Sequence, residues 1–288
     1  MDLVVIYNAR AGDRAWPASR VARVLREAGH RADIVERKED WPAALEREPD
    51  AFVAAGGDGT VHQVIRAVAG RGSAVPVAIL PIGTANNVAH SLGYNVEDDL
   101  IARAAGWNGG HRALRVARVQ AGDDDQLLVE TCGIGAFARQ LGREDNGDKP
   151  APPLSLLAAR ESLVRLLLDA PPIGVTLEID GVRLERDLVL VECVNLGYLG
   201  PRLCLAPDQS PEDGSITVCG VSPQERDVAA QWVSTGEGDV ARFQVGRGSV
   251  ITVTADAPGH LDGRRWPRGR SAGTLRVSAG AHTVRVTV

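Results

Sequence analysis

Hydrophobic and polar positions come in short alternating blocks along the first part of the chain. Leu3-Val4-Val5-Ile6-Tyr7, Arg31 to Val35, Ala51 to Ala55 and Val75 to Leu80 are brief, mostly apolar runs. Runs of that length suit strands covered on both faces of a parallel sheet. Between them the apolar spacing becomes helical. Val21, Val24 and Leu25 share one face of Ala18 to Ala28, which Gly29 ends, and Pro42 to Arg47 is helical too. Val61, Val64, Ile65 and Val68 follow the third strand. Ala85 to Leu92 closes at Gly93, and Asp98 to Ala105 closes at Gly106. Strand and helix in turn, from residue 1 to 112, predict a doubly wound α/β domain.

After Gly109-Gly110 the period falls to two. Ala113 to Val119, Asp187 to Leu196, Ser215 to Gly220, Ser249 to Ala255, Gly273 to Val277 and Thr283 to Val288 read as short strands. Val175 to Ile179 runs into an Asp180-Gly181 turn. This spacing predicts a second domain, 113–288, built as a mainly antiparallel β-sandwich. Asp123-Asp124-Asp125 reads as a solvated hairpin turn, and 144–153, rich in charge and proline, as a loop. Two helices interrupt the strands. Leu154 to Ala170 carries a broad apolar face of Leu156, Leu157, Leu163, Val164, Leu167 and Leu168; Asp227 to Ser234 is shorter. The longer helix either packs on the core or meets acyl chains.

Composition narrows the function classes. The net charge of −5 leaves no basic footprint, so no nucleic-acid partner is expected. Cys132, Cys193, Cys204 and Cys219 sit in apolar contexts without a Cys-x-x-Cys pair, which predicts buried free thiols in a reducing compartment. Asp2 precedes the first apolar run and no basic segment does, so that run is a strand and not a signal peptide. No apolar run reaches the ~18 residues of a membrane-spanning helix. The expected location is therefore cytoplasmic, with any lipid reached by contact at the membrane surface.

The candidate chemistry lies where strands end. Gly56-Gly57-Asp58-Gly59 follows the third strand. Its glycines allow positive φ and leave no Cβ before a ligand. Thr60 can cap the helix behind, whose N-terminus favours phosphate. A glycine-rich turn with no ligand is the other reading. Asp58 would repel phosphate unless a cation or a transferable proton is present. Asn8-Ala9-Arg10-Ala11-Gly12 and Pro81-Ile82-Gly83-Thr84 end two more strands in small-residue turns. Three such turns imply one ligand edge on the sheet, where Arg10 and Arg14 add positive charge.

GGDGTVHQVI at 56–65 and PIGTANNVAHSLG at 81–93 resemble the diacylglycerol kinase catalytic-domain family, and NARAG at 8–12 is similar to its opening loop. NAD kinases share the GGDGT turn but lack the GTANN stretch. The resemblance implies an NAD kinase-like first domain. It also implies transfer of the γ-phosphoryl group of ATP to a lipid hydroxyl, diacylglycerol-like, in a cleft between the domains. It assigns nucleotide contacts to Asn8, Arg10, Gly12, Gly56, Gly57, Asp58, Gly59, Thr60, Gln63, Gly83, Thr84 and Asn87. His260-Leu261-Asp262-Gly263-Arg264 matches the family's Asp-Gly-Glu segment, with Asp262 as the base and Arg264 in place of the glutamate. Read from the residues alone, Asp262-Gly263 is also a common turn pair. The segment 205–216 resembles one that holds a structural Mg²⁺, here on Asp213 with Ser210 and Ser215 as its carbonyl neighbours, or else forms a plain turn.

Other departures from the family pattern are His62-Gln63 for Asn-Glu, Asn86-Asn87 for Asn-Asp, and Arg115 for an aspartate. Acids that would surround Mg²⁺ or the transferring phosphate are thus amides or arginines. The nucleotide can bring Mg²⁺ with it, and Arg264 can stabilise phosphate charge. The leading expectation is a lipid kinase using ATP and Mg²⁺, with a lipid at a membrane surface as partner and a homodimer allowed. The alternatives are a nucleotide- or lipid-binding relative without catalysis, and a kinase for a soluble alcohol.

Overall fold

The computed structural model describes residues 1–12, 15–94, 100–107, 110–141, 155–267 and 273–287. Arg14, Asp98, Gly109, the loop at 144–153, Leu154 and Val288 lie outside the described residues. In chain order the first elements are β1 (Asp2–Tyr7), α1 (Ala18–Glu27), β2 (Arg31–Val35), α2 (Trp41–Leu45), β3 (Ala51–Gly56), α3 (Asp58–Arg71), β4 (Val77–Pro81), α4 (Asn87–Ser91) and α5 (Leu100–Gly106). Then follow β5 (His111–Ala121), β6 (Asp124–Leu128), β7 (Thr131–Gly135), α6 (Ala136–Leu141), α7 (Leu156–Asp169), β8 (Ile173–Ile179), β9 (Val182–Leu188) and β10 (Leu190–Val194). The chain ends through β11 (Tyr198–Leu199), β12 (Leu203–Cys204), β13 (Ile216–Val221), α8 (Arg226–Thr235), β14 (Gln244–Gly248), β15 (Val250–Ala255), β16 (Gly259–Leu261), β17 (Arg264–Arg265) and β18 (Gly273–Thr287).

Two compact units result, Met1–Leu114 with His282–Val288, and Arg115–Ala281. The α/β expectation for the N-terminal part and the mainly antiparallel expectation for the rest both hold. The expected second domain, 113–288, is corrected at its end. The two strands expected at 273–277 and 283–288 are one strand, β18, and its last turns rejoin the first unit. There Val286 pairs with Val77 in parallel. The Tyr94 hydroxyl donates to the Thr287 carbonyl, and burial pushes that phenol up to about 12.

In the first unit, β2, β1, β3 and β4 pair in parallel in that order. Strands β3 and β4 are buried along their whole length, which is why they are apolar at every position and do not alternate. Val21, Val24 and Leu25 of α1 pack with Leu3, Val5, Val53 and Leu80 on one side of this sheet. The parallel order sends the C-terminal ends of β1, β3 and β4 to one edge, and each ends in one of the small-residue turns.

The second unit has two antiparallel sheets. In one, β18, β15, β8 and β9 follow each other; the other runs β14-β13-β10-β7-β16-β17. Val191, Cys193, Ile216 and Val218 point between the sheets at Leu177, Ile251 and Val277. Leu190, Val194 and Val221 face the other way, onto Leu163 and Leu167 of α7 and Trp232 of α8. The second sheet is therefore buried on both faces, and α7 packs on the core, the first of its two expected readings. The run Asp187 to Leu196, expected as one strand, is two. The chain passes from one sheet to the other at Val189, whose N–H donates to the Val221 carbonyl at 2.8 Å. The Asp180-Gly181 turn forms as expected, with φ of 47° and 86°.

Smaller corrections concern side chains. Asp124 accepts the Trp266 indole N–H at 2.6 Å and Asp125 lies 3.4 Å from Arg118, so the acidic hairpin is tied down by partners. Three cysteines are buried and free as expected, whereas Cys204 is half-exposed. Burial raises the thiol of Cys219 to about 12, which leaves it protonated and inert.

Candidate active site

The strand-end turns of the first unit come together through contacts between residues far apart in sequence. The Asn8 side-chain amide donates to the Thr60 hydroxyl at 3.2 Å, and the Ile82 N–H donates to the Gly56 carbonyl at 3.2 Å. Within the first turn Asn8 Oδ1 accepts the Arg10 N–H at 3.1 Å. The glycines serve this packing more than they serve unusual dihedrals. Gly12, at φ 56°, faces the Ile82 carbonyl, which a Cβ would approach to 2.5 Å. A Cβ on Gly83 would collide with Gly57, and one on Gly56 with Thr60. Gly56, Gly57, Gly59 and Gly83 do not have positive φ, which corrects that part of the reading. Gly59 alone among the glycines of the GGDGT turn has open space where its Cβ would be.

Helix α3 begins at Asp58 with Gly57 as its N-cap, and no side chain caps it. Thr60 therefore lies inside the first turn and is not the cap. It is buried, filling the space above Gly56. An uncapped N-terminus of a 14-residue helix, opening at the exposed Gly59, presents backbone N–H groups and positive dipole to an anion. Asp58 faces the other way for part of its function. Its Oδ1 accepts the Val88 N–H at 3.0 Å, which caps α4. That bond turns one carboxylate oxygen to a backbone donor and leaves the group's charge in place.

Helix α4 starts at Asn87, later than the expected Ala85. Asn86 is left-handed at φ 54° and buried, and its side chain closes the loop. It accepts from the Gly83 N–H at 2.9 Å and donates to the Pro81 and Gly83 carbonyls at 3.1 and 2.9 Å. A loop held this way cannot continue as helix. Thr84 is exposed on it, Asn87 is buried and Gln63 is half-buried on α3.

In the second unit Asp262 is buried at 4% exposure and left-handed at φ 45°. Its carboxylate accepts three backbone N–H groups, from Val129 at 3.0 Å, Glu130 at 2.7 Å and Thr131 at 3.1 Å. Its own N–H donates to the Thr131 carbonyl at 2.8 Å. The residue clamps the link between β6 and β7 and is also the Asp-Gly turn of the second reading, with Gly263 at φ 69°. Arg264 is exposed on β17. The Arg115 N–H donates to the Pro211 carbonyl, in the segment 205–216, at 2.8 Å.

One buried pair was not anticipated. Glu192 is fully buried and both its oxygens lie on His260 Nε2, at 2.8 and 2.9 Å. Gly133 leaves the space, since a Cβ there would collide with the Glu192 carboxylate. Burial by itself lowers the imidazole's pKa, but the Glu192 carboxylate, with Asp262 and Glu130 beyond it, holds it above the ordinary value. The signal was present in the sequence: an acid inside the apolar run Leu190–Val194 needs a partner.

Ser210, Asp213 and Ser215 do come together, yet not as an open cation site. The Ser210 N–H donates to Asp213 at 3.0 Å, Arg247 forms an ion pair with the same carboxylate, and Gln209 donates to the Ser215 carbonyl at 3.0 Å. Among the described residues no group of three His, Cys, Asp or Glu side chains is arranged for a metal. Among the described residues no helix is long and apolar enough to cross a membrane.

Residues 2–119 match the family model of the diacylglycerol kinase catalytic domain. The chain is 31% identical over 172 residues to a diacylglycerol kinase of Bacillus subtilis strain 168, spanning 60% of this chain and 54% of that protein. The chain thus matches about half the length of that curated relative. Among solved structures it superposes on a diacylglycerol kinase from Bacillus anthracis with a TM-score of 0.69 at 18% identity, covering 98% of this chain and 96% of the other. Yeast NADH kinase complexed with NADH shares the fold more distantly, with a TM-score of 0.53 at 10% identity, covering 100% and 83%. The resemblance read from the glycine motifs is borne out over the N-terminal segment.

Proposed function

Taking residues 2–119 as a member of the diacylglycerol kinase catalytic-domain family, we propose that this protein is an ATP-dependent lipid kinase, transferring the γ-phosphoryl group to a lipid hydroxyl. The observation that carries the reading is the uncapped N-terminus of α3, with the turn at Gly83 packed on Gly57 and the turn at Gly12 packed on Ile82. Backbone N–H groups there hold phosphate oxygens, and no side chain has to be cleared first. Mg²⁺ arrives with the nucleotide and offsets phosphate charge. Asp58 keeps one oxygen for Val88 and offers the other to that ion or to its water. Asp262 orients the lipid hydroxyl, and Arg264 stabilises negative charge on the transferring group.

A second reading has an observation of its own. Asp262 has little lone-pair capacity left after three backbone N–H groups, and the neighbouring glutamate of the family is Arg264. On that ground the chain binds nucleotide or lipid without turning over. Purified protein incubated with labelled ATP, Mg²⁺ and mixed lipid micelles separates the two. A labelled lipid is expected for the kinase. If wild type and Arg264→Glu both label nothing while ATP still binds, the second reading stands.

A further inference from the structure

The segment that resembles a structural Mg²⁺ site is closed by two side chains that resemblance does not assign. Gln209 is buried at 5% exposure in the loop between β12 and β13. Its Nε2 donates to the Ser215 carbonyl at 3.0 Å and to the Ser210 carbonyl at 3.4 Å. Its Oε1 accepts the Thr217 hydroxyl at 2.7 Å and the Arg247 guanidinium at 3.3 Å. Arg247 on β14 is the cross-strand partner of Thr217 on β13, so register holds it over the loop. From there it pairs with Asp213, whose carboxylate also takes the Ser210 N–H.

The orientation of the Gln209 amide follows from chemistry. A guanidinium only donates, so the amide atom facing Arg247 is the oxygen, and the NH₂ is turned to the two carbonyls. Asp213 Oδ2 and the Ser210 and Ser215 carbonyls, which the resemblance would give to a cation, therefore already face N–H donors. Mg²⁺ needs about six oxygens at ~2.0–2.1 Å in a near-octahedral shell. An amide NH₂ directed at two of them, with a guanidinium on the third, fills the space and repels the charge.

We propose that Gln209 and Arg247 stand in for the ion: the loop at 206–215 closes without metal and holds no Mg²⁺. Any Mg²⁺ this protein uses then comes with its nucleotide. The inference does not depend on the kinase reading, because its readout is unfolding and not activity.

The test is thermal unfolding of the whole chain, without nucleotide, in EDTA and in excess Mg²⁺. Wild type and Asp213→Asn are expected to show the same Mg²⁺-induced increment in Tm, including none in either. Gln209→Ala combined with Arg247→Ala should gain an increment that a further Asp213→Asn removes, since the carboxylate and carbonyls are then released for a cation. An increment in wild type that Asp213→Asn abolishes overturns the proposal. That comparison stands even if the doubly substituted protein does not fold.

Discussion

Gly83 lies directly against Gly57. A Cβ on Gly83 would collide with the Gly57 Cα, and one on Gly57 would come within 3.2 Å of the Gly83 Cα. Two of the three strand-end turns are thus packed backbone to backbone, and substitutions at these positions disturb the turns themselves. Gly59 is the position that separates ligand contact from packing, because nothing lies within 4 Å of a Cβ there. Gly59→Val is expected to keep the fold and weaken ATP binding by roughly tenfold or more, about 1.4 kcal/mol. Gly57→Val is expected to lower thermal stability as well. Calorimetry with ATP on folded Gly59→Val decides the matter; unchanged affinity would remove the phosphate from this turn.

Asp262→Asn should act on stability before chemistry. The amide keeps one acceptor oxygen and turns an NH₂ toward a backbone N–H that the carboxylate had satisfied. The expected cost is about 1–3 kcal/mol, read by urea unfolding. If Asp262 also orients the substrate hydroxyl, turnover per folded molecule falls by roughly 10²-fold or more. Wild-type stability in the variant would contradict the clamp, and wild-type turnover would remove Asp262 from the reaction.

The buried His260–Glu192 pair gives a pH dependence with a definite sign. The folded-state pKa of His260 is raised above 6.5, so the folded protein holds the proton more tightly than the unfolded chain. The stability this contributes is fully present below 6.5 and is lost as pH rises through the raised value. Unfolding free energies measured between about pH 6 and 9 should fall for wild type and fall less for His260→Gln. Identical slopes would mean that the imidazole is neutral in the folded protein.

Helix α7 leaves Leu157 66% and Leu168 40% exposed while burying Leu163 and Leu167. The first two lie eleven residues apart, close to three helical turns, and so share a face. Leu157→Glu with Leu168→Glu should leave the fold intact, because neither side chain packs in the core. The pair should reduce flotation with phospholipid vesicles. Undiminished flotation would mean that α7 is scaffold only.

How much of this was legible in the sequence varies with range. Blocks of apolar residues marked β1, β3 and β4, because total burial leaves no polar position to blur the run. The Asp180-Gly181 hairpin was legible because its turn is local chemistry. The role of the glycines was not, since Gly12 faces Ile82 and Gly57 faces Gly83 across long sequence separations. Asn86 looked like helix until its side chain was seen holding Gly83. At Val189 the chain changes sheets inside the apolar run Leu188 to Val191, so no polar residue marks the junction, although β9 before it is mostly exposed. Gln209 and Arg247 were silent for the same reason: their meaning lies in register, which pairs Thr217 with Arg247.

The return of residues 282–287 to the first unit sets an order of assembly during synthesis. A strand of the first unit is the last part of it to be made. At ~5–20 residues per second, the 167 intervening residues of the second unit occupy a ribosome for on the order of ten to thirty seconds. Throughout that interval the edge of β4 has no partner strand and stays open to mispairing or to a chaperone. Nascent chains stalled before residue 282 should be cleaved by protease within 1–114, and chains extended past 287 should resist.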